Sequence, residues 1–163
     1  MNKMISFLFI SFCFFPSILA DPYLLNTISV SNKKLVSLAH EGETNFTQTH
    51  INAMTGQVDT MKELLSSNSS LIFEETSHSN TPFLLAVEFG WLPMVNLLLN
   101  ETSEILLKTN KDNRNAMHLA VMMQHMDIVN RLNEEEVVAK LINDPDVFQK
   151  SPLYYALRNL WAP

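Results

Sequence analysis

The fold is decided by residues 81–99, which read TPFLLAVEFGWLPMVNLLL. Thr81 is suited to cap a helix with its hydroxyl, and Pro82 fits the first helical position, where an N–H would have no partner. Gly90 permits a tight turn between two helices. Apolar side chains on both sides of this glycine recur at the spacing of one helix face. The stretch therefore predicts two short helices joined at Gly90.

The same pattern recurs along the chain. Segments that begin at residues 47, 81 and 115 align with one another at a spacing of 34 residues, and a fourth begins 36 residues later, at 151. A single helix pair cannot bury both of its faces, so neighbouring pairs must stack. The period therefore predicts an array of helical repeats.

The repeated residues resemble ankyrin repeats, whose signature is Thr-Pro-Leu-His-x-Ala, then a glycine and a Val-x-x-Leu-Leu second helix. The resemblance covers roughly residues 45–160, and it implies an all-α, ankyrin-like solenoid of helix-turn-helix repeats with short hairpin tips. It also implies that two histidines bond nearby backbone. Asn113 stands where the family usually has glycine, and Asn tolerates positive φ well. The matching residues are Thr81, Pro82, Ser151 and Pro152 at helix starts, His50 and His118, Ala86, Ala120 and Ala156, Gly56 and Gly90, and Val95, Leu98 and Leu99.

Four repeat units are predicted, at residues 47–80, 81–114, 115–150 and, in part, 151–163. The outer units depart from the pattern: Gln48 replaces proline, Gln124 replaces glycine and Asn133 replaces the second leucine. Terminal repeats are often atypical because one of their faces meets water, and a truncated array is the alternative. Residues 21–46 are predicted to be an N-terminal capping segment, whose helix at residues 31–41 covers one end of the stack.

The first twenty residues have the plan of a secretory signal peptide. Lys3 precedes an eleven-residue apolar run at residues 5–15, and Pro16 breaks the run before the small residue Ala20. The run is shorter than the ~20 residues that a membrane-spanning helix needs. We expect cleavage near Ala20 and a secreted or periplasmic product. An uncleaved anchor and a buried first helix are the alternatives.

Composition bounds the chemistry of the processed chain. The full sequence has a net charge of −6, and removal of Lys3 leaves 10 basic against 17 acidic side chains, a net charge of −7. The same cleavage removes Cys13, the only cysteine, so disulfides and thiolate chemistry are excluded after processing. No basic footprint indicates nucleic acid or an anionic membrane as a partner.

No motif in the chain carries catalytic or metal chemistry. The five histidines lack the i, i+4 or finger spacing of a zinc site, and there is no nucleophile elbow or phosphate-binding glycine loop. Glu134, Glu135 and Glu136 point in different directions around a predicted helix at residues 134–142, where they would favour its dipole. We therefore expect no enzyme, no cofactor and no metal.

The resemblance also implies where a partner binds. Ankyrin partners usually meet the concave face, which is the side built by the hairpin tips and the first helix of each repeat. Phe89, Met122 and Met123 are predicted to form an apolar strip there, unless they are buried against a neighbouring repeat or the N-terminal helix. Met54, Thr55, Lys150 and Arg158 extend the face into the outer units. The predicted partner-binding residues are Ser77, His78, Asn80, Glu88, Phe89, Lys111, Asp112, Arg114, Met122 and Met123.

These observations predict a monomeric module that binds another protein, in the envelope or outside the cell. A host-directed factor is one form of this prediction, because the composition leans towards Asn, Ile, Phe and Lys and so resembles chains from AT-rich genomes, and intracellular bacteria of that kind often carry ankyrin-like proteins directed at hosts. The alternative is a structural or inhibitory periplasmic protein that masks or protects an enzyme. The signal peptide and the small, acidic, cysteine-free body motivate that alternative.

Overall fold

A computed structural model describes residues 42–160 of the 163-residue chain. The predicted signal peptide and the predicted capping helix at residues 31–41 lie outside the described residues. All the helices described here lie in one compact unit that begins at Glu43. These are α1 (Gln48–Thr55), α2 (Val58–Ser67), α3 (Pro82–Glu88), α4 (Leu92–Glu101), α5 (Ala116–Met122), α6 (Met126–Leu132), α7 (Val138–Leu141) and α8 (Pro152–Leu160), with 3-10 turns at Ser69–Phe73 and Ser103–Leu107.

The prediction of an all-α repeat fold is confirmed, since residues 42–160 contain helices and turns but no strand. The first helices α1, α3 and α5 follow Thr47, Thr81 and Asn115, which are 34 residues apart. The Thr81 hydroxyl accepts the Leu84 N–H at 3.2 Å, and the Asn115 side chain accepts the His118 N–H at 3.1 Å. These bonds satisfy backbone donors that a helix start leaves unpaired.

The helices lie in two rows. Each first helix packs against the first helix of the next repeat, α1 on α3, α3 on α5 and α5 on α8, and the second helices α2, α4 and α6 form the other row. Helix α3 has neighbours on both sides, so every side chain from Phe83 to Val87 is 0% exposed. Burial of a large apolar side chain contributes about 1.5–3 kcal/mol. The stretch that decides the fold is therefore the centre of the stack.

The turns between paired helices also repeat. Gly56, Gly90 and Gln124 all have positive φ, at 70°, 78° and 61°. The ring of Trp91 lies over Gly56, and the ring of His125 lies over Gly90, so closely that a Cβ at either glycine would come within 2.8 Å of a ring atom. The glycines are therefore required by the close approach of the next repeat as well as by backbone conformation.

The same two rings donate hydrogen bonds to the preceding repeat. The Trp91 indole N–H bonds the Met54 carbonyl at 2.8 Å, and His125 Nε2 bonds the Glu88 carbonyl at 3.0 Å. Each ring therefore both packs on a turn and satisfies a carbonyl near the end of a first helix.

The hairpin tips form a second repeating series, on the opposite ends of the first helices. Their turns contain residues at positive φ, and the prediction for Asn113 is confirmed, with φ of 58°. Backbone bonds join each tip to the next, from Ser77 N–H to Thr44, from Lys111 N–H to His78 and from Val147 N–H to Asp112, at 2.8–3.0 Å. The tips therefore form one connected row. The positive-φ residues of the tips are Asn45, Ser79, Asn113 and Gln149.

The structure corrects the prediction of a helix over residues 134–142. Helix α7 covers only Val138–Leu141, so the three glutamates precede it in a turn. Arg131 binds two of them, Glu135 at 2.8 Å and Glu134 at 3.5 Å. Ion pairs with Arg131 of α6 therefore hold Glu134 and Glu135 in this turn. None of the helices in residues 42–160 has the length and apolar character needed to cross a membrane.

Replacement of Gln124 by glycine should stabilise the protein by about 0.5–1 kcal/mol. Left-handed backbone costs an L-residue about 1–2 kcal/mol, and the greater freedom of glycine in the unfolded chain offsets part of the gain. Urea unfolding followed by circular dichroism measures the change. The matched variant Gly90→Ala should lower stability, because its Cβ would lie 2.6 Å from His125 Cε1. A lower unfolding midpoint for Gln124→Gly would contradict the assignment of strain to this turn.

Candidate partner-binding face

Two histidines join the start of a first helix to the tip of the next repeat. His50 Nδ1 accepts the Thr47 N–H at 3.1 Å, and its Nε2 lies 3.1 Å from the carbonyl oxygen of Asn80. His118 Nδ1 accepts the Asn115 N–H at 3.3 Å, and its Nε2 lies 3.0 Å from the carbonyl oxygen of Lys150. This pattern requires a neutral imidazole with its hydrogen on Nε2. The structural role that the resemblance implied for these histidines is confirmed.

Both histidines are held neutral by their surroundings. Burial lowers the pKa of His50 below its usual value, although the backbone carbonyls of Glu74 and Asn80 and the carboxylates of Glu74 and Glu43 act in the opposite direction. Burial lowers the pKa of His118 in the same way, opposed by the carbonyl of Lys150 and the carboxylate of Asp146. Desolvation of the charged ring is therefore the dominant effect.

Three tips lie on the predicted face, at residues 76–80, 110–114 and 146–150, and the first of them is built around a buried carboxylate. Glu43 accepts hydrogen bonds from the Thr76 hydroxyl and, at 2.9 Å, from the Asn80 amide, and it lies 3.7 Å from His78 Nδ1. Asn80 is only 4% exposed, which corrects its assignment as a partner contact. Ser77 is exposed at this tip, and a quarter of the His78 side chain is exposed.

The second tip keeps its predicted residues at the surface. Lys111 is exposed, and Asp112 and Arg114 are half-buried. Arg114 Nη1 lies 3.0 Å from the Asp112 carboxylate, and its Nε lies 3.5 Å from Asp146 of the following tip. Asn113 donates from its side-chain amide to the Pro145 carbonyl at 2.7 Å. The tip is therefore fixed to its neighbour through both side chains and backbone.

The predicted apolar strip is only partly exposed. Met123 is 44% exposed, whereas Phe89 and Met122 are half-buried, as is Glu88. The three side chains therefore form neither a fully exposed apolar strip nor a fully buried one. Met123 is the member that presents the most apolar surface.

The third tip surrounds a second buried carboxylate. Asp146 is 1% exposed and accepts the Tyr155 hydroxyl at 2.6 Å and the N–H groups of Phe148 and Lys150 at 2.9 and 3.0 Å. Burial alone would raise the pKa of Asp146, but these donors and Arg114 outweigh it and lower the pKa overall. Burial and the bond to Asp146 raise the pKa of Tyr155. Asp146 is therefore an ionised anchor that fixes the tip against α8.

A groove of about 320 Å³ lies between the second and third tips and α8. Lys150 Nζ stands 4.2 Å from the centre of the Tyr154 ring, and the Arg114 guanidinium stands 5.7 Å from that of Phe148. We call it the basic groove, and it is lined by Arg114, Met122, Phe148, Lys150, Tyr154, Tyr155 and Arg158.

The aromatic residues of this groove carry no signal in the repeat signature. Lys150 and Arg158, which were predicted to extend the face, line it together with Arg114 and Met122. Phe148 and Tyr154 were not predicted, although they are 61% and 42% exposed. The spacing of 36 residues between the third and fourth units relates Phe148 to Asp112. Because Asp112 was predicted to contact a partner, the same spacing would have placed Phe148 on the partner-binding face.

A family model described as ankyrin repeats (three copies) matches residues 49–144, more than half of the chain. The chain therefore belongs to the ankyrin repeat family. Ankyrin repeats are generally non-catalytic modules, and their presence identifies this protein as a protein–protein interaction module. No curated protein matches the sequence significantly. Residues 42–160 hold no group of three or more His, Cys, Asp or Glu side chains arranged to bind a metal ion.

Stability should fall as the pH decreases from about 7.5 to about 5.5. The pKa values of His50 and His118 are lowered in the folded state, so the unfolded chain takes up protons first, near its unperturbed pKa of about 6.5. The stabilisation is complete above that pH and is lost as the pH falls towards the folded pKa values. The shift of the urea midpoint with pH measures this effect.

The control is a double variant, His50→Leu with His118→Leu, which copies Leu84 at the equivalent position of the second repeat. It should be less stable at about pH 7.5, because it leaves backbone groups unpaired, but its stability should depend less on pH. An unchanged pH slope would show that other groups cause the acid sensitivity.

Proposed function

We propose that this protein is exported and that it binds a partner protein through its concave face, without catalysis. The observation that carries the proposal is the connected row of hairpin tips. Backbone hydrogen bonds fix the tips to one another, so their side chains keep their places before a partner arrives. A preorganised surface loses less conformational entropy on binding than a flexible one.

Six of the predicted residues supply the chemistry of this surface. They combine hydroxyl, imidazole, charged and thioether groups, as in an interface with a polar rim around an adaptable apolar contact. Glu88, Phe89 and Met122 are half-buried beside them. The six residues are Ser77, His78, Lys111, Asp112, Arg114 and Met123.

The location of the partner follows from the proposed export. Residues 1–20 would direct the chain to the secretory route, which places the concave face in the periplasm or outside the cell. A host-directed factor and a protein that masks an envelope enzyme are both compatible with this route. The identity of the bound partner would separate them.

Site-specific photocrosslinking should locate the partner. Benzoylphenylalanine at Lys111 or Met123 should give covalent adducts with a partner protein on illumination, because both side chains are exposed on the proposed face. Leu107 is 60% exposed in the 3-10 turn after α4, outside the proposed face, and is the matched control position. Its adduct yield should be at least about fivefold lower. Equal yields at all three positions would contradict the concave-face proposal.

The mature protein should begin at Asp21. Amino-terminal sequencing of the exported product measures the cleavage site, and deletion of residues 1–20 should leave the chain inside the cell. Retention of Met1 on the exported product would identify an anchor instead. Export of the deleted chain would contradict signal-peptide targeting.

A further inference from the structure

The basic groove concentrates positive charge on an acidic protein. The whole chain has 11 basic and 17 acidic side chains, yet three of the basic ones, Arg114, Lys150 and Arg158, line this one groove. Asp112 and Asp146 pair with Arg114, so the excess positive charge that favours an anionic group comes from Lys150 and Arg158.

Lys150 and Arg158 form no ion pair with any residue in the described part of the chain. Their charges are therefore available to a ligand. Arg114 differs, because Asp112 and Asp146 hold it in place. Asp146 is buried beneath the groove. Its two carboxylate oxygens accept hydrogen bonds from Tyr155 and from two backbone N–H groups, and it forms no ion pair with Lys150 or Arg158.

Aromatic surface stands beside these charges. Phe148 and Tyr154 are exposed large apolar side chains, and each lies under a cation of the groove. A ligand that bound here would meet flat apolar surface and positive charge together. That combination suits a chain that carries both carboxylates and an apolar side chain.

We propose that the basic groove binds an acidic segment of the partner protein, with Lys150 and Arg158 pairing its carboxylates and Phe148 and Tyr154 packing on an apolar side chain between them. This inference rests on the proposed function, since it names the part of the partner that the fourth unit receives. The groove volume fits a few side chains. The net charge of −6 opposes a long polyanion such as nucleic acid.

The probe is a fluorescein-labelled peptide of seven residues, with six Glu and Asp around one central Phe. A matched peptide carries Gln and Asn in place of the acids. Fluorescence anisotropy with the full chain should show binding of the acidic peptide at least about tenfold tighter than that of the amide peptide. Binding should weaken with added salt, because these ion pairs are exposed to solvent.

The double variant Lys150→Glu with Arg158→Glu should weaken binding of the acidic peptide at least tenfold. Lys62→Glu with Lys140→Glu is the matched control, since it changes the net charge equally at two exposed lysines outside the groove. Tyr154→Ala tests the ring and should weaken binding about threefold or more. Circular dichroism confirms that each variant is folded, and the single variant Lys150→Ala replaces the double one if that unfolds.

Three results would overturn the inference. The first is equal binding of the acidic and amide peptides, and the second is equal weakening by the groove and control variants. The third is a different occupant: an oligonucleotide that displaces the peptide at lower concentration, or self-association on sedimentation that the groove variant abolishes. If the peptide fails but crosslinks from Lys111 and Met123 persist in the groove variant, the concave-face proposal stands without the acidic segment.

Discussion

Hydrogen bonds between neighbouring repeats are the interaction on which the rest of the structure depends. At the tip end of a first helix, the imidazole of His50 or His118 bonds a carbonyl of the next tip. At the other end, the ring of Trp91 or His125 bonds a carbonyl of the preceding repeat. Helix α1 is thereby fixed at both ends, α3 at the end that carries Glu88 and α5 at the end that carries His118, and the apolar core fills the space between the helices. Within residues 42–160, neighbouring repeats therefore satisfy backbone groups of one another.

Local features of the sequence were sufficient to predict the fold. The Thr–Pro start at residue 81, the positive φ of Asn113 and the spacing of 34 residues are properties of single repeats, and each appears in the structure. Asn80 was assigned wrongly because its direction depends on Glu43, 37 residues away. The anchoring of Asp146 by Tyr155 could not be predicted either, since it joins the third tip to α8 across the packed interface. A repeat pattern does not predict which side chains bond to one another between neighbouring repeats.

The candidate face divides into two parts with different physical character. Towards the first tip, polar side chains are used internally around Glu43, and little is left for a ligand beyond Ser77 and part of His78. Towards the last helix, the buried charge of Asp146 fixes the third tip and leaves aromatic and basic groups at the surface. A buried carboxylate lies under the hairpin at both ends of the face. At the Glu43 end it engages most of the polar side chains, whereas at the Asp146 end it leaves basic and aromatic side chains exposed to a ligand.

The packing of a ring on a glycine turn determines which repeat could be duplicated without a steric clash. Trp91 fits over Gly56 and His125 over Gly90, so the two kinds of ring occupy equivalent sites. A tandem copy of residues 81–114 would place Trp91 over Gly90, a pairing of the same kind. Duplication of the middle repeat would therefore lengthen the array and keep a ring packed on a glycine at the turn that it adds.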